Sequence, residues 1–114
     1  MKQVLTIVAL FVVLILAQGC SEEAPSLRIR NDYAKKANVQ LKPAAGNTIN
    51  INDVAPNTST AYLDVSETTF TATASVQGES SAPTVTFGTK NDYRYTVVLT
   101  NTNPPELKIE SEER

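Results

Sequence analysis

Phe70-Thr71-Ala72-Thr73-Ala74-Ser75-Val76 is the stretch on which the fold turns. Its apolar residues fall at every second position, with Thr and Ser between them. Successive side chains of a strand point to opposite faces, so Phe70, Ala72, Ala74 and Val76 share one face and Thr71, Thr73 and Ser75 the other. A helix of 3.6 residues per turn would scatter the same residues around its circumference. The segment therefore predicts a strand buried on one side, and the two alanines predict a close approach of whatever covers it.

The same period of two extends outward in both directions. Leu27 and Ile29 alternate with Arg28 and Arg30, Val39 and Leu41 with Asn38, Gln40 and Lys42, and Ile49 and Ile51 with Asn50 and Asn52. Downstream, Tyr95, Val97 and Leu99 alternate with Thr96, Val98 and Thr100, and Leu107 and Ile109 close the series. Thirteen threonines between Cys20 and Arg114 favour the pleated backbone, because β-branching fits a strand better than a helix. Turn residues punctuate the runs: Asn31-Asp32, Pro43 to Asn47, Pro56-Asn57, Gly78 to Pro83, Gly88 with Asn91-Asp92, and Asn103-Pro104-Pro105. Seven or eight short strands at this spacing predict an all-β, antiparallel protein, a sandwich or small barrel, and of these a small antiparallel β-sandwich is the expected fold. No window of residues 20–114 predicts a helix. The expected interior is Leu27, Ile29, Val39, Leu41, Ile49, Ile51, Leu63, Val65, Phe70, Ala72, Ala74, Val76, Val85, Phe87, Tyr95, Val97 and Leu99, extended by Leu107 and Ile109.

Composition excludes several classes of chemistry. The 114 residues include no His and a single Cys, so a disulfide framework, a Cys/His zinc site and any imidazole-based triad are ruled out. A formal net charge of −2 leaves no basic footprint for nucleic acid. Apolar residues are unevenly spread: 14 of them lie in the first 19 positions. Met1-Lys2-Gln3 is a short basic start, followed by Val4 to Ala17, interrupted only by Thr6. As a helix those 14 residues span about 21 Å, short of a hydrocarbon core of roughly 30 Å. A charged start, an apolar run of this length and then small residues form the pattern of a secretory signal peptide.

The end of that run, Leu16-Ala17-Gln18-Gly19-Cys20, resembles the lipobox of bacterial lipoproteins. There a small residue precedes a Cys that is acylated on sulfur and becomes the mature N-terminus. The resemblance implies cleavage between Gly19 and Cys20, a palmitate-type lipid on Cys20, and a membrane anchor through it. One position departs from the pattern: Ala17 stands where a large aliphatic residue is usual. Cys20-Ser21-Glu22-Glu23 lacks the Asp that retains enteric-type lipoproteins at the inner membrane, and it resembles the acidic surface-export signal of Bacteroidetes lipoproteins. The implied address is the cell envelope at the outer membrane, on its periplasmic or surface face. The expected organisation is a signal peptide over 1–19, a lipidated Cys and short tether over 20–26, the β-sandwich over 27–110 and a solvated acidic tail over 111–114.

Candidate chemistry in the body is sparse. Asp32, Asp53 and Asp92 each follow an Asn, a turn dipeptide, and are expected to build turns; neither they nor Asp64 are expected to form an acid/base pair. They lack the spacing of a calcium loop, and no catalytic, metal or cofactor site is expected. Tyr33, Tyr62 and Tyr93 are the candidate binding residues, each combining an apolar ring with a polar handle. Arg28, Arg30, Lys35, Lys36 and Lys42 concentrate basic charge in the first body segment. Arg28 and Arg30 are expected to guard an edge strand against aggregation.

The order Asn38-Val39-Gln40-Leu41, Gly46, Ile49 to Val54, Tyr62-Leu63-Asp64-Val65, Thr71 to Val76 and Tyr93 to Thr100 resembles a domain of unknown function in bacterial secreted and surface proteins. That resemblance implies an immunoglobulin-like or transthyretin-like sandwich and carries no functional residues with it. The combined expectation is a lipid-anchored, non-enzymatic interaction or accessory module whose partner is an envelope protein or polymer. The alternatives are a purely structural surface lipoprotein and a lipid- or carbohydrate-binding sandwich.

Overall fold

The computed structural model describes residues 22–114. The apolar leader, Gly19 and Cys20 lie outside the described residues. Nine strands follow one another: β1 (Ser26–Asn31), β2 (Ala37–Pro43), β3 (Ile49–Val54), β4 (Thr58–Ser59), β5 (Leu63–Asp64), β6 (Thr69–Val76), β7 (Thr84–Gly88), β8 (Tyr93–Leu99) and β9 (Leu107–Glu113). They form two sheets over one apolar core, a β-sandwich-like arrangement with no helix among the described residues.

Strand β6 behaves as its alternation dictates: Phe70, Ala72, Ala74 and Val76 are buried, and the Thr and Ser between them face out. It sits between β2 and β7 in the sheet β3-β2-β6-β7, opposite β2 through Val39↔Ala74 and Leu41↔Ala72. On the outer side the threonines meet their neighbours on β7, Thr71 with Thr86 and Thr73 with Thr84, each at 3.3 Å between hydroxyls. Such cross-strand pairs fix register on the solvated face while the apolar residues fix it on the other.

The second sheet runs β4-β1-β8-β9, with β5 also on β1. β1 and β8 are parallel, in register Leu27↔Tyr95, Ile29↔Val97 and Asn31↔Leu99. The expectation of a wholly antiparallel sandwich is corrected here. Parallel neighbours need a long crossover, and the intervening chain, which carries all four strands of the other sheet as well as β4 and β5, provides it. Arg28 and Arg30 are corrected with it: β1 lies inside the sheet, so they cover an outer face rather than guard an edge.

β4 and β5 are two pieces of one segment along β1, with one extra residue between their registers, Arg30↔Ser59 and Leu27↔Leu63. Thr60 bridges the slip. Its N–H donates to the Ile29 carbonyl at 2.9 Å and its hydroxyl accepts from the Ile29 N–H at 3.0 Å. A side-chain oxygen thus replaces the missing ladder partner at a bulge.

The core holds Leu27, Ile29, Val39, Leu41, Phe70, Ala72, Ala74, Val76, Tyr95, Val97, Leu99 and Leu107 as expected, with Ile49, Ile51, Val65, Val85, Phe87 and Ile109 partly buried against it. Leu63 is not interior: it is 40 % exposed, on a two-residue edge strand. Ala37, Val54 and Val98 are buried without having been expected. Val98 faces outward, but it lies in register between Arg30 and Lys108, whose aliphatic stems can cover it.

Asn31 closes β1 and is fully buried. Its amide donates to the carbonyls of Lys35 at 2.8 Å and Val54 at 3.0 Å, while its Oδ1 accepts from the Tyr33 N–H at 2.9 Å. One side chain thereby joins both sheets and the loop between them.

Both ends of the domain differ from expectation. Pro25 and Ser26 are buried rather than part of a tether, and the Pro25 carbonyl accepts from Val65 N–H at 2.9 Å. Glu23 and Asp92 exchange hydrogen bonds: Glu23 N–H to Asp92 Oδ1 at 2.9 Å and Asp92 N–H to the Glu23 carbonyl at 2.8 Å. Asn91 donates to Glu22 at 2.9 Å. The Arg114 guanidinium reaches Glu23 at 3.1 Å, Asp64 at 3.5 Å and the Ala24 carbonyl. The supposed acidic tail continues β9 as far as Glu113, opposite Tyr93. Backbone hydrogen bonds and charge, together with the burial of Pro25, hold these segments.

Asn31→Ala strands buried backbone groups that each cost about 1–3 kcal/mol when unpaired. Urea denaturation should show a loss of about 2–4 kcal/mol, whereas Asn101→Ala, in the exposed loop between β8 and β9, should stay within about 0.5 kcal/mol. Equal effects would remove Asn31 from its role as a joint.

Candidate functional site

The strongest clustering of polar side chains lies on the outer face of the β1-containing sheet. Even-numbered residues of β1, β8 and β9 share that face: Arg28 and Arg30, then Arg94, Thr96 and Val98, then Lys108, Glu110 and Glu112, aligned by Arg28↔Thr96, Arg94↔Glu112 and Thr96↔Glu110. Tyr62, in the link between β4 and β5, completes it.

Arg28 Nε donates to Thr96 Oγ1 at 3.1 Å, and its guanidinium carbon lies 4.8 Å from the centre of the Tyr62 ring. Arg94 lies 5.3 Å from the same ring and pairs with Glu112 at 2.7 Å. A cation over an aromatic face is attracted by the ring's quadrupole, and this ring holds two. Arg30 donates from Nε to Asp32 at 3.1 Å and from its two terminal nitrogens to Glu110 at 3.0 and 3.3 Å. The hydrogen bonds to Glu110 and Asp32 raise the Arg30 pKa above its already high ordinary value, so this group stays charged. Lys108 reaches Glu110 at 3.9 Å. A recess of about 250 Å³ opens among Arg28, Arg94, Thr96, Glu110, Ser111 and Glu112.

The three candidate tyrosines do not come together. Tyr62 belongs to this face. Tyr93 begins β8 and packs against the core. Tyr33, in the loop after β1, packs partly on the core and donates its hydroxyl to Glu79 in the β6–β7 loop. That hydrogen bond, reinforced by desolvation and the Glu79 charge, raises the Tyr33 pKa above 10.0. The basic residues separate as well: Lys36 pairs with Asp53 at 3.5 Å in the loop region, and Lys42 lies on the other sheet.

The aspartates do local structural work. Asp53 and Asp92 adopt positive φ of 57° and 69°, a conformation Asp tolerates through its short polar side chain. Asp32 pairs with Arg30, and Asp64 with Arg114. Among the described residues no three His, Cys, Asp or Glu gather as metal ligands.

Arg94 and Thr96 went unread as site residues. Their signal is the even-numbered phase of β8, which acquires meaning only once β8 is known to lie beside β1. Comparisons of the sequence with protein-family models and with curated proteins found no match.

The raised Tyr33 pKa can be checked directly. Because the folded value exceeds the unfolded one, the contribution to stability is complete below pH 10 and is lost as pH rises through the folded pKa. Phenolate absorbance should show a tyrosine titrating late, and Glu79→Ala, which removes both the acceptor and the charge, should bring it back towards the ordinary value. An unchanged titration in Glu79→Ala would show that Glu79 is not the cause.

Proposed function

We propose that this chain is a lipid-anchored bacterial cell-envelope protein whose β-domain binds an envelope partner and performs no chemistry of its own. Leu16 to Cys20 supports the anchor, with cleavage after Gly19 and acylation of Cys20. A single acyl chain binds only marginally, so durable attachment takes a second lipid signal. The address that goes with this reading is the outer membrane, periplasmic or surface side.

The observation that carries the binding reading is Arg28. Its guanidinium is held by Thr96 and lies over Tyr62, yet among the described residues no carboxylate pairs with it. Leu63 is the one exposed large hydrophobic residue among those described, so the surface offers a partner polar rather than apolar contact. Exposed ion pairs contribute about 0–1 kcal/mol each to stability, which leaves the charged face better suited to recognition than to holding the fold.

The domain type proposed is transthyretin-like. The grouping of β1 with β8 and β9, and of β2 with β3, β6 and β7, supports it. An immunoglobulin constant-type arrangement would instead place the first and second strands in one sheet.

Two measurements test these claims separately. Growth on labelled palmitate should mark the wild type and not Cys20→Ala; equal labelling, or none, overturns the anchor. Lateral mobility of the fluorescently tagged full-length protein in cells should increase in Arg28→Ala/Tyr62→Ala, because a bound partner slows diffusion. Unchanged mobility counts against this face as the contact surface.

A further inference from the structure

The four arginines among the described residues differ in what they face. Arg30 meets Asp32 and Glu110, Arg94 meets Glu112, and Arg114 meets Glu23 and Asp64. Arg28 alone has no carboxylate partner among the described residues. Its Nε is committed to Thr96, and its plane is fixed near Tyr62, so the two terminal nitrogens form a fork that costs little further entropy to use. Such a fork matches the two oxygens of a carboxylate.

The surroundings select among anions. Glu110 and Glu112 line the same recess, and as acceptor-only groups they offer no donor to the further oxygens of a phosphate. Each is already engaged by a cation, Glu110 by Arg30 and Lys108, Glu112 by Arg94. Their net charge is largely cancelled, so they hold a ligand's ammonium group weakly. A carboxylate has about four lone-pair sites, however, so each can still accept hydrogen bonds from neutral hydroxyls. The complementary ligand thus carries one carboxylate and several hydroxyls. At about 250 Å³ the recess is smaller than a drug-sized pocket and opens onto the sheet face. It has room for a single sugar ring.

We infer that the recess between Arg28, Thr96, Glu110 and Glu112 binds an acidic sugar of an envelope polysaccharide, with Arg28 holding the carboxylate and the two glutamates accepting its hydroxyls. This inference rests on the binding role proposed for the face and is independent of the anchor at Cys20. Arg94 and Tyr62 are positioning residues: Arg94 neutralises Glu112, and Tyr62 holds both guanidinium groups in place.

The test uses purified full-length protein in detergent micelles, labelled with nitrogen-15, with the Nε–H signals of the arginines followed by NMR. D-galacturonate should shift Arg28 saturably at millimolar concentration. Acetate, which lacks the hydroxyls, and glycine, whose ammonium replaces them, should bind at least about fivefold more weakly, about 1 kcal/mol. D-galactose, which lacks the carboxylate, should give no saturable shift. Arg28→Lys, followed through the Nε–H of Arg94 in the same recess, should weaken galacturonate about tenfold or more while leaving the Arg114 signals in place, which shows that the fold persists. Binding of acetate or glycine as tight as galacturonate, equal shifts with galactose, or an unaffected Arg28→Lys would each overturn the assignment. If mobility in cells responds to Arg28→Ala/Tyr62→Ala while galacturonate does not bind, this inference alone fails. If neither responds, the binding role of the face fails with it.

Discussion

The parallel pairing of β1 with β8 is the constraint on which the remaining structure depends. It places Leu27, Ile29, Val97 and Leu99, all fully buried, side by side in the middle of one sheet. Residues more than sixty positions apart in the sequence must meet before that row exists. Loop closure of this length is entropically costly, but the cost grows slowly with length, and the strands closed within the loop build the facing sheet. The Asp32 N–H donating to the Leu99 carbonyl and the Thr100 N–H donating to the Glu106 carbonyl extend the ladder past the C-terminal ends of β1 and β8, so that end of the row does not open freely to water.

Much of this architecture is legible in the chain itself, for a definable reason. Where one face is buried and the other solvated, as along Phe70 to Val76, the period of side chains directly reports which residues face inward. The pattern weakens at strands too short to show a period, and β4 and β5 at two residues each are of that kind. Leu63 illustrates the result: an apolar residue beside alternating neighbours, yet exposed, because its strand is a stub at an edge. Val98 shows the converse, an outward residue that is nonetheless buried, between Arg30 and Lys108 on the neighbouring strands. Periodicity carries no information on which strands are neighbours, and that is why the parallel pair was missed. Arg28 and Arg94 belong to separate segments and become a site only through it.

The charged face is an arrangement of partial cancellation. Arg30, Arg94 and Lys108 each have an acidic partner, and the pairs alternate across β1, β8 and β9 so that no broad field of one sign develops. Opposite charges directly across strands support register, and they also leave a single uncompensated guanidinium conspicuous. Tyr62 lies just past the extra residue bridged by Thr60 on the edge segment. The bulged edge segment therefore supplies the ring on which two cations rest.

The bonds that join Glu22, Glu23 and Ala24 to Asn91, Asp92 and Arg114 bear on how the domain is mounted. One residue, Ser21, separates Cys20 from this fastened segment, and an extended residue covers at most about 3.6 Å. A lipid on Cys20 would hold the β7–β8 turn close to the headgroups, and the sandwich would stand on the bilayer as a short post rather than drift on a leash. The β1–β2, β3–β4, β6–β7 and β8–β9 loops would then form the top of the post, and the arginine-bearing sheet its flank. Whatever passes along that flank would meet Arg28 at a nearly constant height above the membrane.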